Sequence, residues 1–326
     1  MDAHRNMTYS LMLIVVLGTG SISCGKKSPG QRQVDEDTNE KLIADSISHK
    51  VERGRYLALN VAGCLYCHSQ RDYKLFSGPV ISGTEGMGGQ KFDRFFRGIP
   101  GVVYSRNITP AKISSWTNEE VVRAMTQGIS QNGDTLYPLM PYAHFSRMTN
   151  DDALSILAFL RTLPSIANEV PPRDLRVSLR TVVPSLPQNT LEQNSRPPYA
   201  EREKYGEYVV NIAACMDCHT PMEKSNLLEE KAFSGGQEFR LNGFKVRSAN
   251  ITPDSITGIG TWTEEVFLAK FIQYRTPDGY QYNPGKNNSV MPWTTYGGMD
   301  DFDLKAIYAY LRTLKPIKNK VVKNPD

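Results

Sequence analysis

The sequence predicts an all-α fold built from two tandem domains that derive from an internal duplication. The pentapeptide pattern C-x-x-C-H occurs twice, at residues 64–68 and at residues 215–219. A Leu-Arg-Thr-Leu tetrapeptide follows each copy, at 160–163 and 311–314, and both pairs of segments are 151 residues apart. Because these anchors keep one spacing, we interpret the two halves as copies of one unit. The chain has 326 residues, enough for two domains with a core each.

Helical periodicity indicates the same order of elements in each half. We expect a helix, the pentapeptide, Gly-rich loops, and then two further helices. The first helix is expected around Gly54 in one half and Gly206 in the other. The last helix carries an apolar stripe at helical spacing in both halves. Its members are Ala153, Ile156, Leu157, Leu160 and Leu163, and then Leu304, Ile307, Tyr308, Leu311 and Leu314.

The pentapeptides have the composition that covalent haem attachment requires. Two thiols spaced C-x-x-C add to the two vinyl groups of haem, and the adjacent histidine ligates the iron. A lone C-x-x-C would also suit a thioredoxin-like pair or half a zinc site, but each copy offers only three of the four zinc ligands. We therefore predict two covalently attached haem c groups. Their attachment residues are Cys64, Cys67, His68, Cys215, Cys218 and His219.

The fifth cysteine, Cys24, lies outside the pentapeptides, so no internal disulfide framework is expected. An apolar run at residues 11–17 follows Arg5, and small residues continue up to Cys24, which is the pattern of a secretory signal. The site resembles the lipobox of bacterial lipoproteins. We expect residues 1–23 to be a signal peptide, Cys24 to be lipidated, and the protein to be exported and anchored on the periplasmic side of a bacterial membrane. An ordinary signal peptide with an incidental cysteine is the alternative.

Composition suggests how the remaining chain is divided. Residues 24–45 are polar and read as a flexible tether. The first domain is expected at 46–165 and the second at 200–326, joined by a linker at 166–199 that is rich in Pro, Ser, Asn and Arg. The segment from Pro316 repeats the beginning of that linker. A formal charge of +4, without a basic block interleaved with aromatics, implies no nucleic-acid partner.

The distal ligand of each iron separates electron transfer from catalysis, because methionine fills the position whereas an open site admits substrates. Met140 and Met291 are each followed by proline in a loop, and each lies 72 residues after its pentapeptide histidine. We predict that they are the two distal ligands. His144 is an alternative ligand for the first haem, although we expect a surface histidine there, and Thr295 occupies its place in the second half.

A packing role is expected for two other methionines. Met148 and Met299 each directly precede an expected helix cap, where an apolar side chain packs onto the helix. A capping box is predicted at that helix start in both halves. The pairs are Thr149 with Asp152, and Asp300 with Asp303.

The joint set of motifs resembles class I cytochrome c domains in the multihaem cytochrome subunits of membrane-bound bacterial alcohol and gluconate dehydrogenases. The set comprises C-x-x-C-H, N-I-T-P at 107–110 and 250–253, W-T-N-E-E at 116–120, L-M-P-Y at 139–142 and the final L-R-T-L. The resemblance implies two tandem class I cytochrome c domains with thioether-bound haems and His–Met ligation. Those subunits usually carry three haem motifs, whereas this chain has two.

We interpret the protein as a lipid-anchored electron carrier rather than an enzyme. Its partners would be a dehydrogenase as electron donor and a cytochrome or oxidase as acceptor. The alternative is a dihaem enzyme such as a peroxidase, which would need an open distal site, or a thiosulfate-oxidising cytochrome, which would need a cysteine ligand. No cysteine is spare for the second, and no acid–base constellation accompanies either motif.

Overall fold

The computed structural model describes residues 29–183, 185–189, 191–223, 226–241 and 243–325, with side chains from residue 41 onward. The predicted signal peptide and Cys24 lie outside the described residues. The chain divides into two units, Met1–Asp45 and Ser46–Asp326, and the second contains both pentapeptides. No described helix is long and apolar enough to cross a membrane.

Helices dominate the described part of the chain. They are α1 (Pro29–Tyr56), α2 (Cys64–His68), α3 (Pro110–Ile113), α4 (Asn118–Gln127), α5 (Tyr142–Phe145), α6 (Asn150–Leu160), α7 (Leu179–Val182), α8 (Arg202–Ile212), α9 (Cys215–His219), α10 (Glu264–Ile272), α11 (Trp293–Tyr296) and α12 (Asp301–Thr313). Helix α1 continues into a π-helical turn at Leu57–Val61, and three short 3₁₀ turns follow later in the chain. We call residues 46–165 the N-terminal half and residues 200–326 the C-terminal half.

The fold is mostly helical, as expected, but it is not all-α, because the described residues also form three small antiparallel sheets. The strands are β1 (Lys91–Asp93), β2 (Gly101–Tyr104), β3 (Asp174–Leu175), β4 (Met222–Glu223), β5 (Asn226–Leu227), β6 (Glu238–Leu241) and β7 (Phe244–Arg247). They pair as β1-β2-β3, β4-β5 and β6-β7. Burial alternates along β7, as expected for a strand with one face on the core. Strands this short leave too few residues for that alternation to stand out in the sequence.

The first and last helices of each half cross at a glycine. A Cβ added to Gly54 of α1 would lie 1.7 Å from the Ser155 carbonyl oxygen of α6. A Cβ added to Gly206 of α8 would lie 1.9 Å from the Ala306 carbonyl oxygen of α12. These distances are far below van der Waals contact, so only glycine lets the two backbones approach this closely. The crossing fixes the helix directly before each pentapeptide against the last helix of its half.

The helix that begins at Pro29 departs from the expected tether. Residues 29–45 are helical, where the sequence predicts a flexible segment. Proline suits the first turn of a helix, and the glutamates, glutamines and lysines that follow are good helix formers. The helix lacks an apolar stripe, and residues 41–50 are exposed.

The predicted capping boxes form only in part. The Thr149 hydroxyl accepts a hydrogen bond of 3.1 Å from the Asp152 backbone N–H, but the Asp152 carboxylate does not return to the cap. In the C-terminal half, the Asp300 side chain makes no capping hydrogen bond. A complete capping box occurs instead at the start of α4, between Thr117 and Glu120.

The linker lies against the N-terminal half. Its strand β3 pairs with β2, and Leu191 is buried in the main core. The Asn194 side chain donates to the backbone carbonyls of Ser146 and Met148, at 2.8 and 2.7 Å. Contacts along this length mean that the segment is part of the fold and not a free spacer.

One hydrophobic core runs through both halves. It contains buried residues of α6 and α12 together with the π-helical turn and α8. The halves also meet at their loops, where Phe76 stacks on Tyr274 and Tyr282 with ring centroids 5.1 and 5.3 Å apart. Phe96 beside β1 forms a bridge with Phe239 of β6. The halves therefore pack as one body within residues 46–326.

Candidate haem centre

Each pentapeptide forms one helical turn, so its two cysteines, three residues apart, lie on the same side of the backbone. Helix α2 holds the first copy and α9 holds the second. The residue before each helix has a left-handed backbone, with φ of 62° at Gly63 and 50° at Ala214. The four described cysteines are free thiols. Two neighbouring thiols and a histidine are thus presented at each of two places.

Burial weakens the acidity of these thiols. It raises the pKa of Cys64 and of Cys215 to about 12. Burial also raises the pKa of Cys218 to about 11, and nearby charges that include Cys67 of the other pentapeptide contribute to that shift. The thiols are therefore protonated at neutral pH before attachment. The contribution of Cys67 to the pKa of Cys218 indicates that the two attachment sites are neighbours.

Both pentapeptide histidines are oriented by a backbone carbonyl. His68 Nδ1 lies 2.6 Å from the Arg106 carbonyl oxygen, and His219 Nδ1 lies 2.7 Å from the Ala249 carbonyl oxygen. Burial lowers the pKa of each histidine, although the hydrogen bond to the carbonyl acts in the opposite direction. A neutral imidazole that donates from Nδ1 leaves Nε2 as the free lone pair for a metal. This is the arrangement that an axial iron ligand needs.

The N-I-T-P motifs position those carbonyls, because Asn107 and Asn250 directly follow the two acceptor residues. Asn107 Oδ1 accepts from the Thr109 backbone and hydroxyl at 2.9 and 2.7 Å, and its amide donates to the Ile166 carbonyl at 2.8 Å. Asn250 makes the equivalent contacts in the other half. Its Oδ1 accepts from the Thr252 backbone and hydroxyl at 3.0 and 2.7 Å, and its amide donates to the Ile317 carbonyl at 2.7 Å. These local bonds make both N-I-T triplets structural turns.

One cavity of about 1380 Å³ contains both sites. This volume exceeds the range of about 300–1,000 Å³ that is typical for one small-molecule ligand. Met140 and Met291 both line the cavity, as do all four pentapeptide cysteines and both histidines. Its remaining wall is largely apolar and aromatic. The residues predicted from sequence therefore converge on one space.

The two packing methionines behave differently. Met148 is fully buried in the core and does not line the cavity. Met299 is equally buried but does line the cavity, beside the second site. Burial of both agrees with the packing role expected for them.

His144 differs from its expected role as a surface histidine. Its side chain is only 14% exposed, and it does not line the cavity. His144 Nε2 lies 2.9 Å from Asp217 Oδ1, inside the second pentapeptide. Burial opposes the charge of Asp217, but the hydrogen bond from His144 and its charge outweigh that effect and lower the pKa of the carboxyl. This contact crosses between the halves, and the sequence contains no spacing that would reveal it.

Basic side chains are in excess around the cavity, which suits a ligand with carboxylate groups. They include Arg97, Arg106, Arg173, Arg247 and Lys270. Arg97 Nε is buried and has no hydrogen-bond partner among the described residues. An apolar space with free thiols, neutral imidazoles, thioethers and an unpaired arginine Nε fits haem, whose propionates are its polar groups. Sequence analysis missed Arg97, because it lies in an irregular turn with φ of 57° and belongs to no motif.

A family comparison agrees with this chemistry. Residues 204–315 match the sequence model of the cytochrome c family. This segment includes the second pentapeptide and Met291.

Relatives cover most of the chain. The cytochrome c subunit of the quinone-type alcohol dehydrogenase of Gluconobacter oxydans is 27% identical over 86% of this chain and 56% of its own length. The gluconate 2-dehydrogenase cytochrome c subunit of Pantoea cypripedii is 27% identical over 93% of this chain and 64% of its own length. A diheme cytochrome c-type protein of Cereibacter sphaeroides is 25% identical over 97% of this chain and 100% of its own length. The chain thus spans 56 to 64% of these two dehydrogenase subunits.

Proposed function

From the cytochrome c domain at residues 204–315, we propose that this protein is a dihaem c-type cytochrome that carries electrons. The observation that supports this proposal most directly is the shared cavity, which brings together two complete sets of two thiols, an imidazole and a thioether. In this proposal the thioether links form at Cys64, Cys67, Cys215 and Cys218. His68 and His219 are the proximal ligands, and Met140 and Met291 are the distal ones.

Haem supplies reversible one-electron chemistry when it is bound. The residues of this chain hold it and tune it. The carbonyls of Arg106 and Ala249 fix the tautomer of each histidine and raise its basicity as a ligand. The buried, apolar surroundings limit access of water, and a thioether ligand favours the reduced state.

Two domains related by duplication are part of the proposal. The repeat of the glycine crossing, the histidine contact and the asparagine turn at matching positions supports domains at 46–165 and 200–326, with 166–199 as the connection. Cys67 contributes to the raised pKa of Cys218, and both cysteines line the same cavity. We infer that the two haems lie side by side and form a short relay within one chain.

The relatives suggest the partners. Two of them are cytochrome c subunits of an alcohol and a gluconate dehydrogenase. We infer that this chain takes electrons from a dehydrogenase of that kind and passes them to a respiratory cytochrome or oxidase. In this arrangement the chain itself is the carrier and the catalysis belongs to the partner.

Lipid anchoring completes the proposal. Cys24 has no haem to bind and directly follows an apolar run with small residues, which supports lipidation there. The mature protein would then be held on the periplasmic side of a bacterial membrane by its N-terminus.

Haem counting tests the core of the proposal. Mass spectrometry of the denatured mature protein should show the chain plus two haem groups. No molecule of a variant with Cys215→Ala and Cys218→Ala should carry more than one haem, which provides the matched control. An increment of one haem or none in the unaltered protein would contradict the dihaem assignment.

A ligand-binding measurement separates the carrier from a peroxidase. With methionine on both irons, the reduced protein should bind carbon monoxide slowly and peroxide turnover should be negligible. Rapid binding at one haem would favour the enzyme instead.

A further inference from the structure

The distal loop of the second site is fastened by the opposite half of the molecule. We propose that Ser77 and Tyr66 of the N-terminal half are positioning residues that hold Met291 of the C-terminal half at its iron. This inference rests on the proposed ligation of the second iron by Met291. It names the contacts that keep this ligand in place.

Ser77 ties together both sides of the Met291-Pro292 bond. Its hydroxyl donates to the Met291 carbonyl at 2.6 Å and accepts from the Trp293 backbone N–H at 3.1 Å. Its own backbone N–H donates to Asn288 Oδ1 at 2.8 Å. Ser77 is completely buried, so water cannot replace these bonds.

Tyr66 makes the second attachment from inside the first pentapeptide. Its hydroxyl donates to the Val290 carbonyl at 2.7 Å, one residue before the methionine. Within the loop, the Met291 backbone N–H donates to the Ser289 hydroxyl at 3.1 Å. Three backbone groups around Met291 are thus bonded to the other half: the Val290 carbonyl, the Met291 carbonyl and the Trp293 N–H.

The loop that contains Ser77 is itself held in place by several contacts. Ser77 has a left-handed backbone with φ of 64°, a conformation that is unfavourable for a non-glycine residue and must be held by its surroundings. Arg71 stabilises this turn by donating to the Ser77 and Gly78 carbonyls at 2.6 and 2.8 Å. The same guanidinium lies over the Tyr66 ring, 3.1 Å from its centroid. One arginine therefore supports both of the residues that reach the Met291 loop.

Asn288 closes the arrangement from the C-terminal side. Its amide donates to the Tyr73 and Leu75 carbonyls at 2.9 and 3.2 Å. The side chain is almost fully buried, and its bonds to Ser77, Tyr73 and Leu75 all go to the loop that contains Ser77. Its Oδ1 also accepts from the neighbouring Ser289 backbone N–H at 2.7 Å. An asparagine used in this way locks the two loops together.

The first site lacks this support. The Met140 segment is closed by local bonds, from Met140 N–H to Tyr137 and from Tyr142 N–H to the Met140 carbonyl, at 3.2 and 2.8 Å. Across the described residues, no hydrogen bond from the C-terminal half reaches residues 139–141. The cross-half contact nearest in sequence is that of His144 with Asp217. The Met291 loop is therefore bonded to the opposite half of the molecule, whereas the Met140 segment is held by local bonds.

A thioether leaves its iron only if the loop that carries it can move. Because Ser77 and Tyr66 restrain the Met291 loop, ligand exchange at the second haem should be slower than at the first. Removing the restraint should loosen the second site and leave the first unchanged.

The test uses holoprotein in a Met140→Ala background, where the weak red absorption of methionine-ligated ferric haem reports the second site alone. We expect Ser77→Gly, which keeps the left-handed backbone but removes the hydroxyl, to weaken this band. Carbon monoxide should bind the reduced second haem about tenfold faster, the factor expected for loss of one buried hydrogen bond. Tyr66→Phe should change both readouts in the same direction. Ser82→Gly, an exposed serine in the same loop, is the control and should leave both unchanged.

The outcomes are distinguishable. If Met291→Ala opens the second haem but Ser77→Gly and Tyr66→Phe leave the band and the binding rate unchanged, the positioning role is wrong and the ligation stands. If Met291→Ala changes nothing at the second haem, the ligation itself is wrong. If, with Met140 intact, Ser77→Gly perturbs both haems equally, general loss of packing explains the effect and the positioning role is again overturned.

Discussion

The Tyr56 hydroxyl donates a hydrogen bond of 2.6 Å to Asp303 Oδ2, which lies 247 residues later in the chain. The same hydroxyl accepts from the Asp300 backbone N–H at 3.1 Å, so Tyr56 of α1 caps the start of α12. Tyr208 of α8 repeats this at the start of α6, donating to Asp152 at 2.6 Å and accepting from the Thr149 N–H at 3.2 Å. Each half thus caps the last helix of the other. The two carboxylates are used across this interface, which is why the predicted capping boxes are incomplete.

Removing the charge of Asp152 should cost much more stability than removing the charge of Asp303. Burial opposes the charge of Asp152, but Arg53 at 2.9 Å and Tyr208 outweigh it, so its pKa lies below the usual range. Burial dominates at Asp303, which has only tyrosine donors, and raises its pKa. Asp152→Asn should cost about 3 kcal/mol at neutral pH, because it leaves Arg53 without its partner. Asp303→Asn should change stability by less than about 1 kcal/mol.

The pH dependence follows from the same shifts. The stability due to Asp152 is present above the pKa of the unfolded chain and is lost as pH falls through the lower folded value. The raised pKa of Asp303 means that its contribution is present at low pH and is lost as pH rises through the folded value. Denaturant unfolding of the holoprotein across the acid range measures both. If Asp152→Asn and Asp303→Asn lost the same free energy of unfolding across this pH range, the assignment would be contradicted.

Distal ligation should be separable haem by haem. Met291→Ala should open the second haem to carbon monoxide and lower its reduction potential by on the order of 0.1 V or more, and Met140→Ala should do so only at the first. Potentiometry with carbon monoxide titration provides the measurement. Met148→Ala is the control, because this methionine is buried away from the cavity and should cost about 3 kcal/mol without altering ligation. Met299 is a poorer control, since it lines the cavity.

The glycine crossings should tolerate no side chain. Gly54→Ala and Gly206→Ala would each place a Cβ within 2 Å of a backbone carbonyl oxygen, so the helices must separate. We expect each to lower stability by about 3 kcal/mol or more. Arg55→Ala and Glu207→Ala are exposed neighbours and should cost less than about 0.5 kcal/mol. Thermal unfolding of the four variants checks this, and a small effect of either glycine substitution would argue against the crossing.

A substitution at Cys24 tests the proposed membrane anchor. Cys24→Ser removes the thiol on which acylation depends and should release the haem-loaded protein from the membrane into the soluble periplasmic fraction. Fractionation followed by haem staining gives the answer. Persistence of the variant in the membrane fraction would show that another segment or partner holds it there.

Features with a fixed spacing could be predicted from the sequence. The pentapeptides, the methionine loops and the last helices repeat at regular intervals, and the described positions of these residues converge on the cavity. Contacts between the halves could not be predicted, because Ser77, Arg97 and Asn288 belong to no repeat or motif. Their roles arise only from packing of distant loops. The short strands escaped prediction for a related reason, since each depends on a partner strand more than on its own pattern.

The interlocking of the halves constrains how the protein can mature. The second distal loop is bonded to Ser77 and Tyr66, and each terminal helix is capped from the other half. A half-molecule would lack these partners, and a bulky tetrapyrrole enters most easily before the two halves have closed on each other. We therefore expect attachment of both haems to precede final closure and loading of the two prosthetic groups to be cooperative, so that damage to one pentapeptide also lowers the yield at the other.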